Sequence, residues 1–354
     1  MSTLNAYHQS LGATLAQDNV PLHYGNLAEE YHAALNNAVL LDRSHEGRIF
    51  LTGDNRFEIV NRMSTNKIVD MPPHSGQATI FTNANARILY RVIAYNRPEG
   101  LLIITEPGQG DAIASYLQRN IFYGDKVNVI NIQAQTAHFA IHGATAAQVM
   151  QSLSPDLAEL STLSSAEIEH PTATFTVLRR KPIVGTHWAI LCQQQHAEAI
   201  HRHLLTIGAP HGLTPVGSLT YNTLRVRSGR PAGQELSTDY IPLEVGLWDE
   251  VSFRKGCYTG QEIIARMESR QRLAKALVKI QLSEFVEAPA TVYMDNKAVG
   301  TMTSSVQAPN EEIFATAVLK TDAAHANTQL TVSDAHIHAT VIDYAGEQPA
   351  FIRG

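Results

Sequence analysis

Cysteine is nearly absent from this chain: only Cys192 and Cys257 occur among 354 residues. That excludes a disulfide-stapled scaffold and any structural zinc site built on cysteine pairs, and it fits a reducing compartment. Charge is also sparse, at 17% against ~25% in an average globular chain, while 44% of residues are hydrophobic. A disordered or coiled-coil protein is thereby excluded. No basic excess exists: the net charge is -6, so direct nucleic-acid binding is not expected. Apolar runs such as Leu101 to Ile104 are strand-sized, far from the ~20 residues of a membrane span. The first twenty residues carry neither the basic nor the apolar region of a secretory signal. The expectation is a soluble, cytoplasmic protein without membrane contact. No His-Glu-x-x-His occurs, and the pairs His201/His203 and His336/His338 lack a third ligand. The histidines are therefore read as solvated or core residues, with no metal site.

What is present suggests two or three domains, at ~150 residues each. Residues 27–41 read as a helix, with Leu27, Tyr31, Leu35 and Val39 on one stripe. A polar turn at 42–48 leads into a strand at 49–52 and a second helix containing Phe57, Ile59, Val60 and Met63. Residues 77–82 and 87–95 read as a strand pair, 101–105 as another strand, and Asp111 as the cap of a following helix. Gly108-Gln-Gly110 is an incomplete dinucleotide fingerprint, since Ile113 takes the third glycine position; it reads as an ordinary strand–helix turn. The stretch 224–253 is irregular and rich in glycine, proline and charge, as long functional segments are. After Arg272, six short strand candidates at 274–282, 290–293, 298–306, 313–319, 329–332 and 337–344 suggest a closed β-barrel or sandwich.

The strongest local signal is Lys255-Gly-Cys-Tyr-Thr-Gly-Gln-Glu262. Thr259 and Glu262 have the spacing of a capping box, so a helix should begin near Gly260 with Cys257 just before it. The helix dipole and the cations Arg254 and Lys255 favour thiolate over thiol at Cys257. Gly256 and Gly260 keep the backbone open to a ligand. Cys192 ends an apolar run and reads as a buried filler.

The run Arg225-x4-Arg230-Pro-x-Gly233-x-Glu235-Leu, then Ile241-Pro-Leu-Glu-x-Gly246-Leu-Trp, then Val251-Ser-Phe-x-Lys255-Gly-Cys-Tyr-Thr-Gly-Gln-Glu262 resembles the folate-binding YgfZ proteins. These belong to the superfamily of the glycine-cleavage T-protein, an aminomethyltransferase. The turn Leu41-Asp-Arg-Ser-His-Glu-Gly47 and the pair Thr65-Asn66 resemble the T-protein's N-terminal region, and Gly300-x3-Ser304 its C-terminal barrel. The resemblance covers about residue 20 to 345.

It implies an α+β, T-protein-like three-domain ring around a central folate channel, with a C-terminal β-barrel. Residues 1–271 would form the aminomethyltransferase-like folate-binding region, 49–135 an inserted subdomain within it, and 272–354 the barrel domain. The cofactor implied is tetrahydrofolate or a derivative. Arg225, Tyr258, Gln261 and Glu262 are the candidates for binding it, and Cys257 with Lys255 for chemistry. For Arg225 a structural salt bridge is an equal alternative. T-proteins carry an Asp-Asp pair, one of them catalytic, where this chain has Tyr90 and Arg91; they place Asn at Thr105 and a pterin-binding Glu near Ala189. These losses argue against aminomethyl transfer. The resemblance therefore implies an accessory protein for iron–sulfur cluster assembly or repair, whose clients include tRNA-modifying enzymes. Its partners would be reduced folate and iron–sulfur client or assembly proteins. The alternative is a tetrahydrofolate-dependent one-carbon transferase, either an aminomethyltransferase or a demethylase.

Overall fold

The computed structural model describes residues 3–333 and 337–353, so His336 lies outside the described residues. The chain divides into two compact units. The first comprises Met1–Ile59, Ile68–Ala78 and Val92–Tyr221; the second comprises Val60–Lys67, Thr79–Arg91 and Asn222–Gly354.

The first unit is built on a six-stranded sheet ordered Ser165–Ile168, Phe175–Arg180, Thr186–Gln193, Thr136–Gly143, Ala38–Asp42 and Thr214–Pro215. All its pairs are antiparallel except the last. Helices Thr3–Ser10, Ala146–Leu153 and Ala197–Gly208 supply Leu4, Tyr7, Val149, Met150, Ile200 and Leu204 to a core shared with Phe139, Ile141, Trp188 and Ile190. The helix expected over 27–41 stops at Asn36 and gives way to the strand Ala38–Asp42. Residues 38–41 are all buried, and a short, continuously apolar run suits a central strand better than an amphipathic helix. Asn26 caps the helix that does form, its Oδ1 accepting the N–H groups of Ala28 at 3.0 Å and Glu29 at 3.3 Å.

A five-stranded sheet runs Gly76–Thr82, Ile88–Arg97, Gly100–Pro107, Glu46–Thr52 and Asn128–Asn131. Residues 79–82 and 88–91 of its first two strands belong to the second unit. Helix Gly110–Arg119 follows it; its N-cap is Gln109, and Asp111 lies inside the first turn instead of capping it.

The second unit is dominated by a closed antiparallel barrel in the order Lys275–Leu282, Ile313–Lys320, Lys297–Gln307, Ala290–Met294, Gln329–Val332 and Ile337–Tyr344. The last strand pairs back onto the first, Val278 opposite Tyr344. Closure removes the exposed edges that six short strands would otherwise present. Its core, with Val278, Val292, Met302 and Leu319, continues through Ile241, Leu243, Trp248, Tyr258 and Ile264. No helix among the described residues is long and apolar enough to cross a membrane.

Candidate functional site around Cys257

The irregular stretch before Cys257 resolves into three short 3-10 turns, Gly233–Leu236, Pro242–Val245 and Trp248–Glu250. Each is pinned by a buried carboxylate. Glu235 accepts the hydroxyls of Thr303 at 2.6 Å, Ser304 at 2.7 Å and Thr316 at 2.9 Å, and the N–H of Ala232 at 3.2 Å. Glu244 accepts the N–H of Ile241 at 3.1 Å and lies 3.4 Å from Arg87. Glu250 takes Arg91 in a two-pronged pair, Nε to Oε2 at 2.8 Å and the second bond at 2.5 Å. A carboxylate buried without donors would be costly, and these bonds supply donors to all three.

Lys255 is 9% exposed, and its ammonium donates to the carbonyls of Asn61, Ser64 at 2.5 Å and Asn66 at 3.0 Å. Burial pushes its pKa down to about 8. Its side chain thus ties the run to the segment 61–66 within the second unit. Tyr258 is buried in the core beside Ala86 and Ile264, and burial raises its phenol to about 12. Between these two anchored residues, Gly256 and Cys257 are exposed, and a Cβ added at Gly256 would meet open space. Cys192, in contrast, is buried, with its thiol pushed up to about 12.

The helix begins at Gln261, as the motif implied, but the Thr259/Glu262 capping box does not form. Gly260 occupies the N-cap at φ +86°, with no side chain to cap, and Thr259 sits one position too early. Gly260 is also not an opening for a ligand: a Cβ there would lie 2.7 Å from both Ala86 Cα and Asn83 O. The glycine serves close backbone packing, reinforced by the Thr82 hydroxyl donating to Thr259 O at 2.6 Å. Gln261 donates its amide to Lys255 O at 3.3 Å, while Glu262 is exposed.

Arg225 lies apart from this run in helix Ser218–Ser228. Its guanidinium donates to Asn222 at 2.9 Å and Ser304 at 2.8 Å and stands 3.7 Å from Glu235. Tetrahydrofolate presents an aminopyrimidine rich in N–H groups at one end and carboxylates at the other. The amide of Gln261 and the carboxylate of Glu262 fit the pterin end by their donor and acceptor chemistry. Arg225 is already bonded to the unit's own oxygens.

One cluster escaped the sequence reading. Glu46, in the first unit, is buried among Arg43 at 2.8 Å, Arg180 at 2.8 Å and His138 at 3.4 Å. Burial alone would raise its carboxyl, but Arg180 and Arg43 hold it well below the ordinary range. Burial pushes His138 down to about 3. The signal was the Asp-Arg-Ser-His-Glu-Gly turn, whose partner Arg180 is remote in sequence. Thr105 has a structural role too, its hydroxyl accepting the N–H of Gly47 at 3.1 Å. Gly47 is obligatory there, since a Cβ would fall 2.4 Å from that hydroxyl. Ala189 is fully buried in a central strand, opposite Leu178 and Ala140.

This fold, a mixed α/β body with a closed C-terminal barrel, is that of the glycine-cleavage T-protein. The aminomethyltransferase T of the glycine cleavage system from Bartonella henselae superposes with a TM-score of 0.84 at 19% identity, covering 96% of this chain and 95% of that one. The GCVT N-terminal domain family matches residues 4–255, and the chain belongs to that family. A chloroplastic protein of Arabidopsis thaliana, provisionally named a transferase, is 30% identical over 91% of this chain and 74% of its own length. An aminomethyltransferase of Halalkalibacterium halodurans is 26% identical over 82% of this chain and 80% of its own. The GCVT family and its aminomethyltransferases are tetrahydrofolate-dependent.

Proposed function

We propose that this protein is a folate-binding accessory factor of the YgfZ type, acting in the cytoplasm to support assembly or repair of iron–sulfur clusters, those of tRNA-modifying enzymes among them. The observation that carries this reading is the Arg91–Glu250 pair. Where the T-protein resemblance calls for a catalytic carboxylate, this chain holds a guanidinium, and the buried carboxylate beside it is fully engaged in binding that guanidinium. With both of its oxygens bonded to Arg91, that carboxylate is not open to a substrate amine.

Within this reading residues 1–271, with 49–135 inserted, form the folate-binding region and 272–354 the barrel domain. Gln261 and Glu262 hold the pterin end of tetrahydrofolate, which supplies a one-carbon carrier when bound. Lys255 and Tyr258 anchor the run on either side of Cys257, and the exposed thiol meets a client. A lone thiolate cannot retain a cluster that needs about four protein ligands, so its contact is transient.

Calorimetric titration of the whole chain with tetrahydrofolate and its 5-formyl derivative tests the folate reading. Saturable binding by wild type, weakened in Glu262→Ala, is the expected result; no binding at millimolar folate overturns it. A second reading, in keeping with the relatives' names as transferases, is a tetrahydrofolate-dependent one-carbon transferase. Folate-dependent release of ammonia from an aminomethylated carrier would establish that reading in place of the first.

A further inference from the structure

Away from the Cys257 run, the first unit contains a cavity of about 560 Å³. Small-molecule sites have volumes of ~300–1,000 Å³. The hairpin formed by Thr14–Leu15 and Pro21–His23 borders it through the turn that carries Asp18. The residues Asp42, Ser44 and His45 line it from the turn after strand Ala38–Asp42, with Gln133 and Gln194 completing the polar wall.

Its charge is of one sign. Asp18 and Asp42 line the cavity, and among the described residues no lysine or arginine does. The Asp42 side chain is only 9% exposed and is held rigidly: Oδ1 accepts the Ser44 N–H at 2.8 Å, and Oδ2 lies 3.0 Å from His8 Nε2. His8 is fully buried and is fixed from its other side by the Tyr24 hydroxyl, 2.7 Å from Nδ1. Those contacts account for about two of the four lone-pair directions of the carboxylate. Burial alone would raise the Asp42 carboxyl, but the bonds from His8 and Ser44 bring it down to about 2. Burial and the nearby Arg43 push His45 down to about 4, so at neutral pH it adds no positive charge. The adjacent guanidiniums are directed elsewhere: Arg43 binds Glu46, and Arg48 donates to the carbonyls of Ser44 at 2.8 Å and Gln133 at 2.8 Å. A fixed, partly desolvated carboxylate in a cavity whose described lining holds neither lysine nor arginine repels phosphates and carboxylates and attracts positive charge.

We propose that this cavity binds a small organic cation, an alkylammonium or guanidinium compound, with Asp42 as its charge partner and Asp18 at its mouth. The amides of Gln133 and Gln194 offer further hydrogen bonds to N–H groups. The site is independent of the folate reading, since none of its residues belongs to the Cys257 run.

The probe is agmatine, which carries a guanidinium and an ammonium and no carboxylate, titrated calorimetrically into the full chain. Wild type binds it saturably and does not bind succinate. Asp18→Asn, at the exposed mouth, weakens binding about 2–5-fold, the scale of an exposed charge pair. Gln194→Arg, which brings a competing guanidinium into the cavity, weakens it at least about tenfold. Asp42→Asn has the same effect as Gln194→Arg; because it also removes the His8 contact, Gln194→Arg decides the matter if that variant does not fold. Thermal melts of the Asp18 and Gln194 variants matching wild type verify their folding. Absence of agmatine binding in wild type, undiminished binding by Gln194→Arg, or equal binding of succinate would overturn the proposal.

Discussion

At Lys255 a buried ammonium donates to three backbone carbonyls, and this has two measurable consequences. Lys255→Met leaves those carbonyls short of a donor and should destabilise the protein by about 1–3 kcal/mol at pH 7. The second consequence is in the pH profile. Burial holds the folded pKa at about 8, below the usual 10.5. Between those values the unfolded chain keeps a proton that the folded chain has released, so stability rises with pH across that window. Denaturation curves of wild type and Lys255→Met should diverge from pH 8 upward; parallel curves would contradict this placement of the ammonium. The two thiols give a second residue-level test. Iodoacetamide at neutral pH should modify Cys257 in the native protein and spare Cys192, which is buried with its thiol pushed up to about 12. Mass spectrometry of the separated peptides reads both rates at once, and equal rates would refute the difference in access.

The elements that the sequence announced are those whose pattern is local. All six barrel strands lie within two residues of the short runs that marked them, because a strand-length run bounded by turn residues is a local signal. The start of helix Gln261–Ser269 was legible near Gly260, yet its cap was not. The Thr259/Glu262 spacing matched a capping box, but the close approach of Ala86 and Asn83 forces Gly260 into the left-handed region and makes it the cap. No local pattern reports a neighbour so distant in sequence. Gly260→Ala should therefore cost about 1–3 kcal/mol, from the strained φ together with the backbone clash. Urea denaturation checks this, and an unchanged midpoint would contradict it. The Glu46 cluster was hidden for the same reason, since Arg180 reaches it from another strand. Removing that carboxylate in Glu46→Ala takes the shared acidic partner from two buried guanidiniums and should cost about 3–5 kcal/mol. The contribution of Glu46 is present above the ordinary carboxylate pKa and is lost as pH falls through its depressed folded value. Wild type and Glu46→Ala should therefore converge in stability under acid denaturation.

At the scale of the whole chain, the second unit is not contiguous in sequence. It draws Val60–Lys67 and Thr79–Arg91 together with Asn222–Gly354. Its barrel shares one core with Ala86, Ile241, Leu243, Trp248 and Tyr258, all of them outside 272–354. A fragment of residues 272–354 alone would expose that apolar surface and should give broad, poorly dispersed amide spectra, whereas the full chain should give sharp ones. The composition of this discontinuous unit was not legible in the sequence, where the change of texture after Arg272 marked only the start of the barrel. The YgfZ reading rests on a motif whose anchored residues flank one exposed thiol, with Arg91 paired to Glu250 where a catalytic carboxylate would act. The most direct measurement is the activity of an iron–sulfur, tRNA-thiolating enzyme in a strain lacking this protein, complemented with wild type or with Cys257→Ser at equal expression. Wild type should restore the activity and Cys257→Ser should leave it near the deletion level; full restoration by Cys257→Ser would contradict the account.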